Sequence, residues 1–283
     1  MSSSRVAFIF ITLFFTACSG SKPTLPPAER YDLASNAVGK EILDLYLWEA
    51  SQIEALSAGI SIDLRKGPYS KTIDVSTAFE LPNKLRIEIL PPAIGPPLLL
   101  VTSDGQDLGA LRRADRVAYL GRAEDLSTVL GLPFDRPLQL ARWLTGKIPL
   151  TLRNRIIKST FHTQAGNSEG ILELALEDGK RYRFLLSQDR SKPRISIVEL
   201  FERGEKKLVV RYSYSNSKGS DGLPNRIETW IVEDGFKLNT TFKSSKLNPV
   251  WDKRVVDKLF KTKIPRSFQK LPISALGESI LAN

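Results

Sequence analysis

The sequence predicts a mainly β protein with a few short helices. Its core is one antiparallel sheet of about 11–12 strands, curled, with the helices over its concave face. Three observations lead there. Apolar and polar residues alternate with period two in many short segments, as in Leu56–Leu64 and Gly170–Leu176. Tight-turn dipeptides, among them Asp178-Gly179 and Asp234-Gly235, join consecutive segments as hairpins. Helical spacing appears in only a few places, and an open sheet of this many strands curls or splits instead of staying flat.

The N-terminus reads as a secretory signal. Arg5 supplies a positive start, and Val6–Phe15 is apolar except for Thr12, too short a run to span a bilayer. Phe15-Thr16-Ala17-Cys18 places a small residue before the chain's only cysteine and resembles a bacterial lipobox. That resemblance implies cleavage before Cys18, lipidation of its thiol and, with Ser19 next, sorting to the outer membrane. The alternative is an ordinary signal peptide with Cys18 left as a free thiol. Residues 19–30, SGSKPTLPPAER, are polar and proline-rich, as a tether is. The expected organisation is therefore a signal peptide over 1–17, a lipidated tether over 18–30 and one domain over 31–283.

In the domain, Ala34–Gln52 carries Ala37, Val38, Ile42, Leu45 and Tyr46 at helical spacing. Strands are expected at Leu56–Leu64, Lys71–Leu81, Leu85–Leu90, Leu98–Thr102 and Val117–Leu120. The pattern then changes. A short helix is expected over Asp125–Leu130 and a second from Pro137, with Leu138, Leu140, Ala141, Trp143 and Leu144 as its apolar face. Seven further strands follow, near Arg155–Thr163, Gly170–Leu176, Arg181–Leu186, Arg194–Phe201, Lys207–Tyr214, Arg226–Val232 and Phe236–Lys243. Lys253–Lys263 is expected to form a last helix, or a strand around Leu259-Phe260.

The turn Pro91–Pro97 stands out. Four prolines and Gly95 frame Ile94 at its middle, with nothing beside it in sequence to cover it. An apolar tip of this kind either meets a membrane, ligand or partner, or folds back onto its own core.

The net charge is +10, from 41 Lys and Arg against 31 Asp and Glu. This fits attraction to anionic membrane surfaces, and equally a merely solvated basic surface. No nucleic-acid-binding motif occurs. His162 is the only histidine and lies in a predicted strand, so a structural role is expected for it. There is no G-x-S-x-G elbow, P-loop, G-x-G-x-x-G or set of Cys and His able to hold zinc. The composition points to binding and not to an enzyme, with no cofactor and no metal site.

Four elements carry a family likeness. Leu56-Ser57-Ala58-Gly59-Ile60 follows an N-terminal helix. Leu85-Arg86-Ile87-Glu88-Ile89 leads into a Pro-x-Gly loop and a Leu-rich strand. Leu138–Pro149, LQLARWLTGKIP, and Leu223-Pro224-Asn225-Arg226-Ile227-Glu228 come later in the same order. Together they resemble the LolA/LolB superfamily of lipoprotein carriers, in particular its outer-membrane receptor branch. The resemblance implies an open, strongly curved half-barrel whose cavity holds acyl chains, and a loop that projects an apolar residue into the membrane. By position that loop is Pro92, Ile94 and Gly95. The chain departs from the receptor in extra residues between Trp143 and Leu223, read as added hairpins around Asn154–Phe184, and in a longer C-terminus.

Expected cavity residues are Ile60, Ile62, Phe79, Ile87, Leu100, Leu130, Leu140, Trp143, Phe236 and Leu238, each of which plain core packing would also explain. The function implied is an outer-membrane-anchored, monomeric lipoprotein of a Gram-negative envelope. It would take acyl chains or lipoproteins from a periplasmic carrier and assist their insertion. The alternative is an envelope lipoprotein of the same fold that binds another lipid, a glycolipid or a protein partner.

Overall fold

The computed structural model describes residues 36–126, 136–148, 156–163, 169–187, 194–215 and 222–276, all within one compact unit, Asp32–Asn283. Cys18, the tether and Leu130 lie outside them, as does most of the short helix expected at 125–130. A 3-10 turn at Ala123–Asp125 leads toward it.

Fourteen strands form one open, curved sheet. In chain order they are β1 (Ala55–Lys66), β2 (Tyr69–Glu80), β3 (Lys84–Leu90), β4 (Leu99–Ser103), β5 (Asp107–Arg112), β6 (Val117–Arg122) and β7 (Ile156–Thr163). Then come β8 (Glu169–Leu176), β9 (Arg181–Ser187), β10 (Ile195–Glu202), β11 (Glu205–Ser213), β12 (Arg226–Ile231), β13 (Phe236–Leu247) and β14 (Gln269–Pro272). Their spatial order is β14-β6-β5-β4-β3-β2-β1-β13-β12-β11-β10-β9-β8-β7. Pairings are antiparallel except β14 beside β6, which is parallel. The one non-sequential antiparallel step joins β1 to β13 and brings the two halves of the chain into one sheet.

Alternation fixes which face is inside. Leu56, Ala58 and Ile60 of β1, Val75 and Phe79 of β2, and Leu172 and Leu174 of β8 are all buried. They belong to one apolar cluster with Ile42, Leu43, Tyr46 and Leu47 of helix α1 (Asn36–Ser51) and Leu140, Ala141, Trp143 and Leu144 of helix α2 (Pro137–Leu144). The two helices thus plug the concave side. Pro137 at the start of α2 needs no N–H partner there and presets φ. At Gly39, α1 comes so close to edge strand β7 that a Cβ would sit 3.1 Å from the Ser159 carbonyl oxygen. Glycine is what lets this helix cover that edge.

The outer face is covered by the C-terminal stretch. Val256 of helix α3 (Lys253–Leu259) and Phe260 pack on Ala78 of β2, flanked by Trp251. Ile264 and Phe268 then pack on Leu100, Leu111 and Ala118. β14 pairs with β6, and beyond it Ile273 and Leu276 join the main core. This strap passes around one edge of the sheet, a device that hides unpaired strand groups.

Two strands exceed the expected count. β5, DLGALR, is short and carries a glycine, so its alternation is faint. β14 owes its extended form to pairing with β6, a tertiary effect. The last helix ends at Leu259, earlier than expected, and Pro265 falls in the strap.

Candidate functional site

The interior face beneath α1 and α2 is the first part of the site. Of the residues expected there, Ile60, Phe79, Leu140 and Trp143 are buried members of the main cluster, with Ile62 and Ile87 half-buried against it. Leu238 is buried, and the register sets it opposite Leu64 and Thr229 on the same face. Phe236 lies opposite Ile231 toward the end of that row, half-buried.

Leu100 is a correction: it points to the outer face and packs with Leu111, Ala118, Ile264 and Phe268. Its neighbour Val101 faces the interior. Leu98 to Val101 is an unbroken apolar run, so period two could not tell one face from the other. The interior also holds two threonines without hydrogen-bond partners for their hydroxyls, Thr229 on β12 and Thr240 on β13.

The second part is the loop between β3 and β4. Ile94 is fully exposed and Leu98 is 48 % exposed, while Pro92 and Gly95 are exposed beside them. The Leu98 N–H donates to Ile89 O at 2.8 Å and closes the base of the loop. Leu90 is opposite Asp74, and Leu99 is opposite Arg112. The loop therefore leaves the sheet between the β1–β2 hairpin and the β5–β6 turn. On those turns Tyr69 is 81 % exposed, and Lys66, Lys71, Arg113 and Arg116 are exposed cations. The carboxylate of Asp115 in the β5–β6 turn is paired with Arg112. This rim is apolar at its tip and basic around it.

The third part lies at the opposite end of the sheet, where α1 meets the end of β9 and the start of β10. The Tyr46 hydroxyl is shared between the carbonyls of Ser187 (3.2 Å) and Arg194 (3.1 Å), and burial pushes its pKa up to about 12. The Tyr214 hydroxyl donates to Ile195 O at 3.0 Å, and the Arg194 guanidinium sits 5.0 Å from the centre of its ring. Gly146, with φ +64, ends α2 against this ring: a Cβ there would lie 2.5 Å from the Tyr214 oxygen.

Two cations stand close by. Lys147 pairs with Glu49 at 3.3 Å, and Arg142, only 2 % exposed, donates to the Ile53 carbonyl at 3.2 Å. Sequence reasoning missed this cluster. Arg142 lies within the apolar stretch LQLARWL and reads as the solvent side of a short helix, yet α2 is buried nearly all round. The only signal was the brevity of the helix, which leaves no room for a separate wet face.

Elsewhere, a pocket of about 470 Å³ lies on the outer face between β4–β6 and the strap, with Thr102, Asp107, Lys261 and Thr262 on its walls. Among the described residues no group of three or more His, Cys, Asp and Glu is placed to hold a metal ion. Nor is any described helix long and apolar enough to cross a membrane.

No protein-family profile and no curated sequence matches the chain. Solved structures do. An outer membrane lipoprotein-sorting protein domain from Vibrio parahaemolyticus is similar with a TM-score of 0.54 at 12 % identity, covering 79 % of this chain and 98 % of its own. A DUF1329 family protein from Desulfovibrio piger gives 0.51 at 12 % identity, over 78 % and 98 %. A LolA superfamily protein from Nitrosomonas europaea gives 0.49 at 15 % identity, over 79 % and 97 %. At these identities the likeness establishes the fold: the half-barrel of this chain is the one that the first two structures share.

Proposed function

We propose that the chain is a lipid-anchored envelope protein of the LolA/LolB superfamily that holds acyl chains against the interior face and helps deliver them to the outer membrane. The observation that carries this reading is the pairing of a helix-plugged apolar interior with an uncovered Ile94 on a basic rim. Cys18 is the lipidation site, residues 19–30 are the tether, and the cargo arrives from a periplasmic carrier. No covalent chemistry is needed, because handover runs on a difference in affinity between donor and acceptor. An acyl chain gains about 0.8 kcal/mol per buried CH₂, so a few methylenes of extra contact set the direction of transfer. Ile94 is the membrane contact, worth roughly 1.5–3 kcal/mol once buried: enough for transient docking and far below anchoring.

The test is a photo-crosslinkable palmitate incubated with the domain lacking Cys18. Labelling of Ile60, Phe79 or Trp143 that unlabelled palmitate competes away supports the reading. Absence of specific labelling overturns it and leaves the same fold serving a glycolipid or a protein partner.

A further inference from the structure

Arg142 is the most unusual buried side chain in the described structure. It is among the largest fully buried side chains, and of its three guanidinium nitrogens only Nη2 has a partner, the Ile53 carbonyl. Nε and Nη1 are buried with no hydrogen-bond partner, and among the described residues no carboxylate pairs with the guanidinium. An ion removed from water without a counter-ion is strongly unfavourable, and burial alone draws its pKa down to about 10. The α2 carbonyl end, where Arg142 sits, offsets only part of that charge.

The surroundings add positive charge instead of cancelling it. Burial lowers the pKa of Lys147 against the pull of Glu49, and repulsion from Arg142 and Arg194 adds to the lowering. Glu49, the carboxylate in the group, is already engaged with Lys147 at 3.3 Å. Arg194 lies over the Tyr214 ring, with no carboxylate partner among the described residues. Among the described residues Arg142 and Arg194 thus stand near Lys147, whose ion-pair partner is Glu49, at the end of the half-barrel opposite the Ile94 loop. The next residue along α2, Trp143, belongs to the apolar interior cluster. Arg142 is thus carried by the helix whose Leu140, Ala141 and Leu144 belong to the same cluster.

We infer that Arg142, with Lys147 and Arg194, binds the anionic head of an acyl lipid, a carboxylate or a phosphate, whose hydrocarbon lies along the interior face. This rests on the acyl-binding reading above and narrows it: the preferred ligand is an anionic lipid and not a neutral one. Of the five guanidinium N–H groups one is used on the Ile53 carbonyl, and the second N–H of Nη2 still forms a fork with either Nε or Nη1, a fit to two oxygens of a single carboxylate or phosphate.

The experiment uses the full chain carrying Cys18→Ser and four probes: palmitate, its uncharged methyl ester, dipalmitoyl phosphatidate and dipalmitoylglycerol. The expected result is at least tenfold tighter binding of each anionic probe than of its neutral counterpart. The larger of the two ratios tells carboxylate from phosphate. Arg142→Met is expected to erase the preference while leaving neutral-probe binding unchanged, and Lys147→Met to reduce it. The unliganded Arg142→Met chain is expected to denature at the same or a higher urea concentration than the parent. Equal binding of charged and neutral probes by the parent overturns the inference and leaves the acyl-chain reading standing. Binding of no probe overturns both. A lower denaturation midpoint for Arg142→Met, with the anion preference kept by Lys147→Met, also overturns it, because Arg142 would then be a structural donor to Ile53.

Discussion

Replacing Ile94 by Glu separates membrane contact from folding. Ile94 is fully exposed, and the fold loses no packing when it changes, so stability is expected to move by no more than about 0.5 kcal/mol. Membrane contact should suffer much more. Loss of one buried isoleucine removes roughly 1.5–3 kcal/mol, a factor of about ten to a hundred and fifty in partitioning at 1.4 kcal/mol per decade. The new carboxylate is also repelled by anionic lipid, which Lys66, Lys71, Arg113 and Arg116 on the neighbouring turns would otherwise attract. The assay is flotation of the Cys18→Ser chain with vesicles containing anionic lipid, run beside urea denaturation and palmitate binding. The expected outcome is lost flotation with unchanged denaturation midpoint and unchanged palmitate binding. Unchanged flotation would refute the reasoning, and so would an unfolding free energy that falls by several kcal/mol, since Ile94 would then belong to a core.

Other substitutions test other parts of the account. Phe260→Ala removes a side chain 1 % exposed between the strap and Ala78 and is expected to cost about 3–5 kcal/mol in urea denaturation, with palmitate binding on the opposite face retained. Alkaline pH should weaken the fold from about pH 10 upward. The folded-state pKa of Tyr46 is raised to about 12 from an ordinary value of 10.0, so its stabilising contribution is complete below pH 10 and is lost as pH rises toward 12. Tyr46→Phe is expected to make the fall in unfolding free energy between pH 9 and 11.5 shallower by up to about 1.4 kcal/mol per pH unit. Cys18→Ser is expected to move the protein from the membrane to the soluble fraction of cells.

The strand half of the fold was legible because most of the sheet is amphipathic. β8, with Leu172, Leu174 and Leu176 buried and their neighbours half-exposed, announces both its conformation and its inner face. Where both faces are covered the code fails: β4 is buried on the interior by α1 and α2 and on the exterior by the strap, so Leu100 and Val101 look alike in sequence. β14 was illegible for a related reason. Its four residues, QKLP, have little strand character, and the edge of β6 supplies the pairing. The loop at Ile94 could be found because prolines and an uncovered apolar residue are local properties. The cluster of Arg142, Lys147 and Arg194 could not, because it assembles from α2 and the start of β10, with Glu49 contributed by α1. Nothing in the sequence alone brings these segments together.

The central claim is that the interior face under α1 and α2 holds acyl chains. Mapping crosslinks from a diazirine-bearing palmitate by mass spectrometry tests it most directly. The account predicts competable labelling concentrated at Ile60, Phe79, Leu140 and Trp143. Labelling confined to exposed apolar residues such as Tyr69, Ile94 and Val250, or labelling that excess palmitate fails to reduce, would contradict it.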